Sequence, residues 1–144
     1  MRTLTVSLLL VGLSTLTGFA QTSVPLVVPK EAVSRLEEVK ELTKAVAVAK
    51  DTKGKLQAEV RPDVNRMLVL STEEFVLVTT QNPTKEAYLL CLDQGLARVS
   101  PLTTDVQDRL QVAEYYQDLL EIVGMPSSEG RLTAFAAVPA APKQ

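Results

Sequence analysis

The chain has 144 residues, 46% hydrophobic and 22% charged, which is ordinary for one globular domain. Its formal net charge of -2 gives no basic footprint for nucleic acid or anionic lipid. It has no histidine and a single cysteine, which excludes Ser–His–Asp triads, Cys–His pairs, histidine metal ligands and thiolate zinc sites.

Residues 1–20 read as a secretory signal. Arg2 precedes an apolar segment from Leu4 to Leu16, and Gly18 and Ala20 occupy the small-residue positions before a cut between Ala20 and Gln21. The segment is short and interrupted by Thr5, Ser7, Ser14 and Thr15, which argues against an uncleaved membrane anchor. The expected product is exported to the periplasm, the cell surface or the medium, with no stable membrane insertion after cleavage. Residues 21–29 read as an extended linker, since Pro25 and Pro29 bracket a β-branched run.

An amphipathic helix is expected from about 30 to 44, with Val33, Leu36, Val39 and Leu42/Thr43 on one side. The segment 45–61 is ambiguous. Val46 and Val48 alternate with alanine, Leu56, Ala58 and Val60 alternate with polar residues, and DTKG between them suits a hairpin loop. Alanine and lysine also favour a continued helix. Beyond Pro62 the runs RMLVLS, FVLVTTQ, AYLLCLDQ and GLARVS predict an antiparallel meander. A competing helical reading rests on the capping-box spacing of Ser71 and Glu74 and on Asn82-Pro83 as a cap, but β-branched residues fill four of five positions of VLVTT.

Residues 104–124 predict a long helix. Thr104 and Gln107 have capping-box spacing, Val112, Ala113, Tyr116, Leu119, Leu120 and Val123 form an apolar stripe, and Gly124 and Pro126 supply a stop. LTAFAAV reads as a last strand, and residues 139–144 as a flexible tail. The scarcity of aromatics, 4%, predicts an aliphatic core. Together these elements predict a single α+β domain over 30–138: an N-terminal helix, an antiparallel β-meander and a long C-terminal helix packed on the sheet. The alternative is an all-α small bundle.

Cys91 lies among leucines and reads as a packed apolar side chain, with an intermolecular disulfide as the alternative. A nucleophilic role lacks a neighbouring cation, since the nearest charged residue is Asp93. Ser-x-x-Lys, phosphate-binding glycine loops and calcium loops are absent, and Asn82-Pro83-Thr84 has proline where glycosylation forbids it. Glu73-Glu74 fit a solvated turn and Asp105/Asp108 fit helix N-terminal electrostatics better than catalysis. Tyr115 lies off the stripe's centre, where it suits a partner interface. Charge is uneven, with nine basic and seven acidic residues over 30–66 and five basic and ten acidic over 67–144. No catalytic, cofactor-binding or metal-binding residue is assigned. The expected function is that of an exported, non-catalytic interaction or accessory protein. The alternative is a carrier of a small apolar ligand between helix and sheet. The partner is then another protein or that ligand.

Overall fold

The computed structural model describes residues 23–48 and 61–137. Its helices are α1 (Ala32–Val48), α2 (Arg61–Gln81), α3 (Lys85–Val99), α4 (Val106–Ile122) and α5 (Arg131–Ala137). A one-turn 3-10 helix, Ser100–Leu102, joins α3 to α4. No strand occurs among the described residues, where the β-type contact is an isolated antiparallel bridge between Pro25 and Thr84. The α+β expectation is thereby corrected, and the all-α alternative fits.

Within the described residues, the stretches expected as the meander and the last strand are helical. Residues 66–71 and 75–81 are one continuous helix, α2. Its buried side chains Val64, Leu68, Ser71, Thr72 and Phe75 recur at helical spacing. The β-branched run that argued for a strand contains threonines that settle into the helix. Thr72, Thr79 and Thr80 donate their hydroxyls to the carbonyls four residues earlier, of Leu68, Phe75 and Val76. Residues 87–94 and 95–99 form α3, where Tyr88, Leu92, Leu96 and Val99 fall on one face and Leu90 is left exposed. Thr84 caps α3 by accepting from the Ala87 N–H at 3.2 Å. Residues 132–137 of the expected last strand are helical in α5.

Helix α1 continues past the expected end at 44 to Val48, so the first arm of the hairpin expected over 45–61 is helical. The rest of that hairpin, residues 49–60, lies outside the described residues, as do the signal segment 1–20 with its cleavage position, the start of the linker, and the tail 139–144. From Leu26 onward the N-terminal segment packs on the bundle. Leu26 N–H donates to Pro83 O at 2.7 Å, and Leu26 and Val28 are half-buried against the core.

Helix α4 starts on a different cap from the one expected. Asp105, not Thr104, is the N-cap, and its Oδ1 accepts from Gln107 N–H at 2.7 Å. It ends in a Schellman motif. Gly124 takes φ of 80°, its N–H bonds to Glu121 O at 3.0 Å, and Met125 N–H bonds to Leu120 O at 2.8 Å. The core also departs from the aliphatic expectation, because Tyr88, Tyr116 and Phe75 are its largest fully buried side chains. Two of these three carry hydroxyls, and a buried hydroxyl needs a partner.

Candidate functional site

The bundle's polar core is organised by hydroxyl pairs between helices. Tyr116 of α4 and Ser71 of α2 meet at 2.7 Å. Tyr88 of α3 meets Thr79 of α2 at 2.8 Å. Arg98 of α3 grips the Glu74 carboxylate with both Nη atoms and also donates to Ser71 Oγ at 3.3 Å. Gly95 makes room for this knot. A Cβ there would stand 2.3 Å from Tyr116 Oη and 2.7 Å from Ser71 Oγ. Burial, partly offset by Ser71 and Arg98, pushes the Tyr116 phenol up to about 12.

A second anchor is Arg109, buried at the base of α4. It donates to the carbonyls of Thr103 (2.8 Å), Phe135 (3.0 Å) and Ser100 (3.2 Å) and lies 4.7 Å from the Phe135 ring centroid. The guanidinium is thereby committed to holding α5 and the 3-10 turn against α4.

Two clefts open beside α4. The larger, about 510 Å³, is a groove between α4 and α5. Leu110 and Ala113 line one wall, Leu132 and Ala136 the other, with Glu114 and Gln117 at the edge. The smaller, about 360 Å³, lies between α1, α2 and α4 and is lined by Val39, Leu42, Thr43, Asn65, Leu68, Tyr115 and Asp118. Tyr115 Oη bonds there to Thr72 Oγ1 at 2.6 Å and accepts from Thr43 Oγ1 at 3.2 Å. The Asn65 side-chain Nδ2 has no hydrogen-bond partner although the residue is only 7% exposed.

The residues singled out in the sequence fall into several places. Cys91 is half-buried in α3, packed against the core. Burial raises its thiol pKa first, Glu74 raises it further, and Arg98 opposes them. The cation that sequence proximity failed to supply is thus Arg98, two helical turns along α3. Glu73 is exposed, whereas Glu74 is the partner of Arg98, so the two do not act as a pair. Asp105 is a cap, and Asp108 is buried in the first turn of α4. The Asp108 carboxyl is raised by burial and then by Asp105, against the pull of Arg61. The hydroxyl of Tyr115, a residue expected at a partner interface, bonds Thr43 of α1 and Thr72 of α2. Sequence reasoning missed Asn65 altogether. Its signal was a polar residue on the buried stripe between Val64 and Leu68, visible only once α2 is read as a helix.

The arrangement offers apolar surfaces with polar edges rather than converging reactive groups. Among the described residues no cluster of three or more Cys, Asp or Glu side chains could hold a metal ion. No described helix is long and apolar enough to cross a membrane. The sheet that was to form one wall of the expected carrier site does not occur among the described residues, where these two clefts lie between helices.

Neither a curated protein nor a solved structure matches the chain. One family model matches residues 27–138, a span that starts where the N-terminal segment joins the core and takes in all five described helices. On that match the chain belongs to the DUF4844 family, a domain of unknown function.

Proposed function

We propose that this protein is an exported, non-catalytic interaction module that receives an apolar segment of a partner protein in the groove between α4 and α5. The observation that carries this reading is the groove itself, about 510 Å³ and walled by Leu110, Ala113, Leu132 and Ala136. Ala136 and Ala137 bring only small side chains to its α5 wall, which leaves room for a helix or extended segment laid against it. Leu110 is 43% exposed, and an apolar side chain on a groove wall gains from being covered.

The chemistry of the partner follows from charge. Glu114 lines the groove and Glu121 is exposed on α4, while the basic residue of α4, Arg109, is buried. An apolar segment flanked by lysine or arginine complements this surface, and its association should weaken with salt. Export rests on the signal pattern of residues 1–20, and N-terminal sequencing of the purified protein tests it. Finding Gln21 as the first residue supports export; finding Met1 in a membrane fraction overturns it.

The groove is tested by purifying the protein from its own source and quantifying co-purifying polypeptides. A partner in near-stoichiometric amount should fall at least tenfold with Leu110→Glu, with helical circular dichroism unchanged, and should elute at raised salt. Equal recovery with the variant would overturn the reading.

A further inference from the structure

On a different face of α4, the cleft between α1, α2 and α4 has features that the protein–protein groove lacks. Its volume of about 360 Å³ falls in the range of small-molecule sites. Its apolar wall is Val39, Leu42 and Leu68, with Leu42 at 60% exposure standing at the mouth. Its polar wall is Asn65 with the Tyr115 and Thr43 hydroxyls.

Those polar groups differ in one respect. Each hydroxyl has a partner inside the bundle. Thr72 donates to Leu68 O, Tyr115 meets Thr72, and Thr43 reaches both Val39 O and Tyr115 Oη. The Asn65 amide has none for its Nδ2 among the described residues, despite being more than nine-tenths buried. A buried amide with an unmade hydrogen bond is destabilising, and an apolar residue would fill the same position without that cost. The adjacent stripe positions are indeed Val64 and Leu68. An amide on the wall of a cleft, left unpaired by its own chain, points to a partner from outside it.

We infer that this cleft binds a small neutral carboxamide with a short aliphatic body. A primary carboxamide presents an acceptor and a donor side by side, and so does asparagine. The Asn65 Nδ2 is closed off from the cleft as the side chain stands, and the two amides can pair only once the Asn65 amide turns about its last torsion and brings its N–H to the cleft. The aliphatic body then covers Leu68, Val39 and Leu42. Asp118 on the cleft lining sets the charge preference, since a carboxylate ligand would meet like charge there. The site is independent of the groove between α4 and α5 and does not need a protein partner.

The test uses hexanamide as the probe, with hexanoate as its charged counterpart, followed by amide chemical shifts of the 15N-labelled protein. Hexanamide should give saturable shifts at the Asn65 side-chain NH2 and at the backbone of Thr43 and Tyr115. Hexanoate should bind at least tenfold more weakly. Asn65→Leu should weaken hexanamide at least tenfold while raising the midpoint of thermal unfolding, because it removes the unpaired amide. Leu42→Asp, at the exposed mouth, should weaken binding without loss of fold. The inference is overturned if hexanamide gives no saturable shift at these residues, which would leave Asn65 to an ordered water only. It is equally overturned if hexanoate binds as well, or if Asn65→Leu binds hexanamide as tightly as the wild type.

Discussion

Tyr115 and Tyr116 are sequence neighbours in α4, yet they belong to differently built regions. Tyr116 is fully buried and closes a polar knot beside Gly95 in which the Arg98 Nη atoms reach both Glu74 and Ser71, while Arg98 Nε is left without a partner among the described residues. Tyr115 is half-buried and borders an open cleft in which Asn65 is left unpaired. Consecutive helical positions differ by about 100° around the axis, so one helix can present a sealed surface and an open one to different neighbours. The contrast teaches where rigidity and recognition are placed. Side chains bonded across helices, as Tyr116–Ser71 and Arg98–Glu74 are, hold those helices at fixed distances, whereas an unpaired amide beside a cavity leaves hydrogen-bonding capacity for something else.

The largest effect should come from the anchor that both regions share. Leu119 is fully buried in α4, one turn beyond Tyr115 and Tyr116. Leu119→Ala should cost about 2–5 kcal/mol in urea unfolding. A smaller loss would mean that the bundle closes around the gap and that the two regions are not held in register by α4.

The second effect belongs to the sealed side alone. The Tyr116 phenol titrates at about 12 in the folded protein and near the ordinary tyrosine value of ~10 when unfolded. Its folded-state value is raised, so its contribution is intact below pH ~10, where both states keep the proton. Between there and about pH 12 the unfolded chain loses its proton first, and stability falls by up to about 2–3 kcal/mol. Tyr88 and Tyr115 are shifted in the same direction, each chiefly by burial, and add to the loss. The part due to Tyr116 is read as the difference in alkaline slope between the wild type and Tyr116→Phe. Parallel slopes would show that the phenol reaches water.

A third effect has an unusual sign. Replacing a helical glycine with alanine ordinarily gains roughly 0.5–1 kcal/mol. At Gly95 the new methyl would collide with Tyr116 Oη and Ser71 Oγ, so Gly95→Ala should instead lose about 1–3 kcal/mol. Combining it with Tyr116→Phe should recover part of that loss, because the nearest clashing atom is gone. A stabilised Gly95→Ala would break the knot as described.

The sequence made some of this legible and hid the rest for identifiable reasons. Helix α4 could be read because its apolar stripe, its acidic first turn and Gly124 agree with one another. Helices α2 and α3 carry a strand-like pattern because local preference and tertiary context conflict there. The β-branched residues at 76, 78, 79 and 80 favour a strand locally, whereas in the bundle Thr79 and Thr80 bond carbonyls of their own helix and Thr79 also meets Tyr88 of α3, a partner only the fold supplies. In α3 strand alternation would put Tyr88, Leu90 and Leu92 on one face, whereas the helix buries Tyr88 and Leu92 and exposes Leu90. The clefts were out of reach for a further reason. Asn65 and Tyr115 lie fifty positions apart, and no local pattern announces that they share a cavity.

The smallest effect is at the edge of the sealed region, where Cys91 reports how far the seal extends. Its side chain is half-buried, so Cys91→Ser should cost less than the ~1–3 kcal/mol of a fully buried unpaired polar group, and the loss should stay under about 1 kcal/mol. Reactivity is the sharper measure. Burial and Glu74 both raise the thiol's pKa, and Arg98 lowers it. The native thiol should therefore be labelled more slowly than the unfolded one at neutral pH, but at a measurable rate. Glu74→Gln removes the opposing charge and leaves Arg98 without its carboxylate, so both changes favour the thiolate. Labelling should accelerate by a few-fold, limited by the burial that Glu74 does not control. Native labelling as fast as unfolded would place residue 91 on the open surface. No native labelling would extend the seal past Arg98 and make Cys91 a member of the knot.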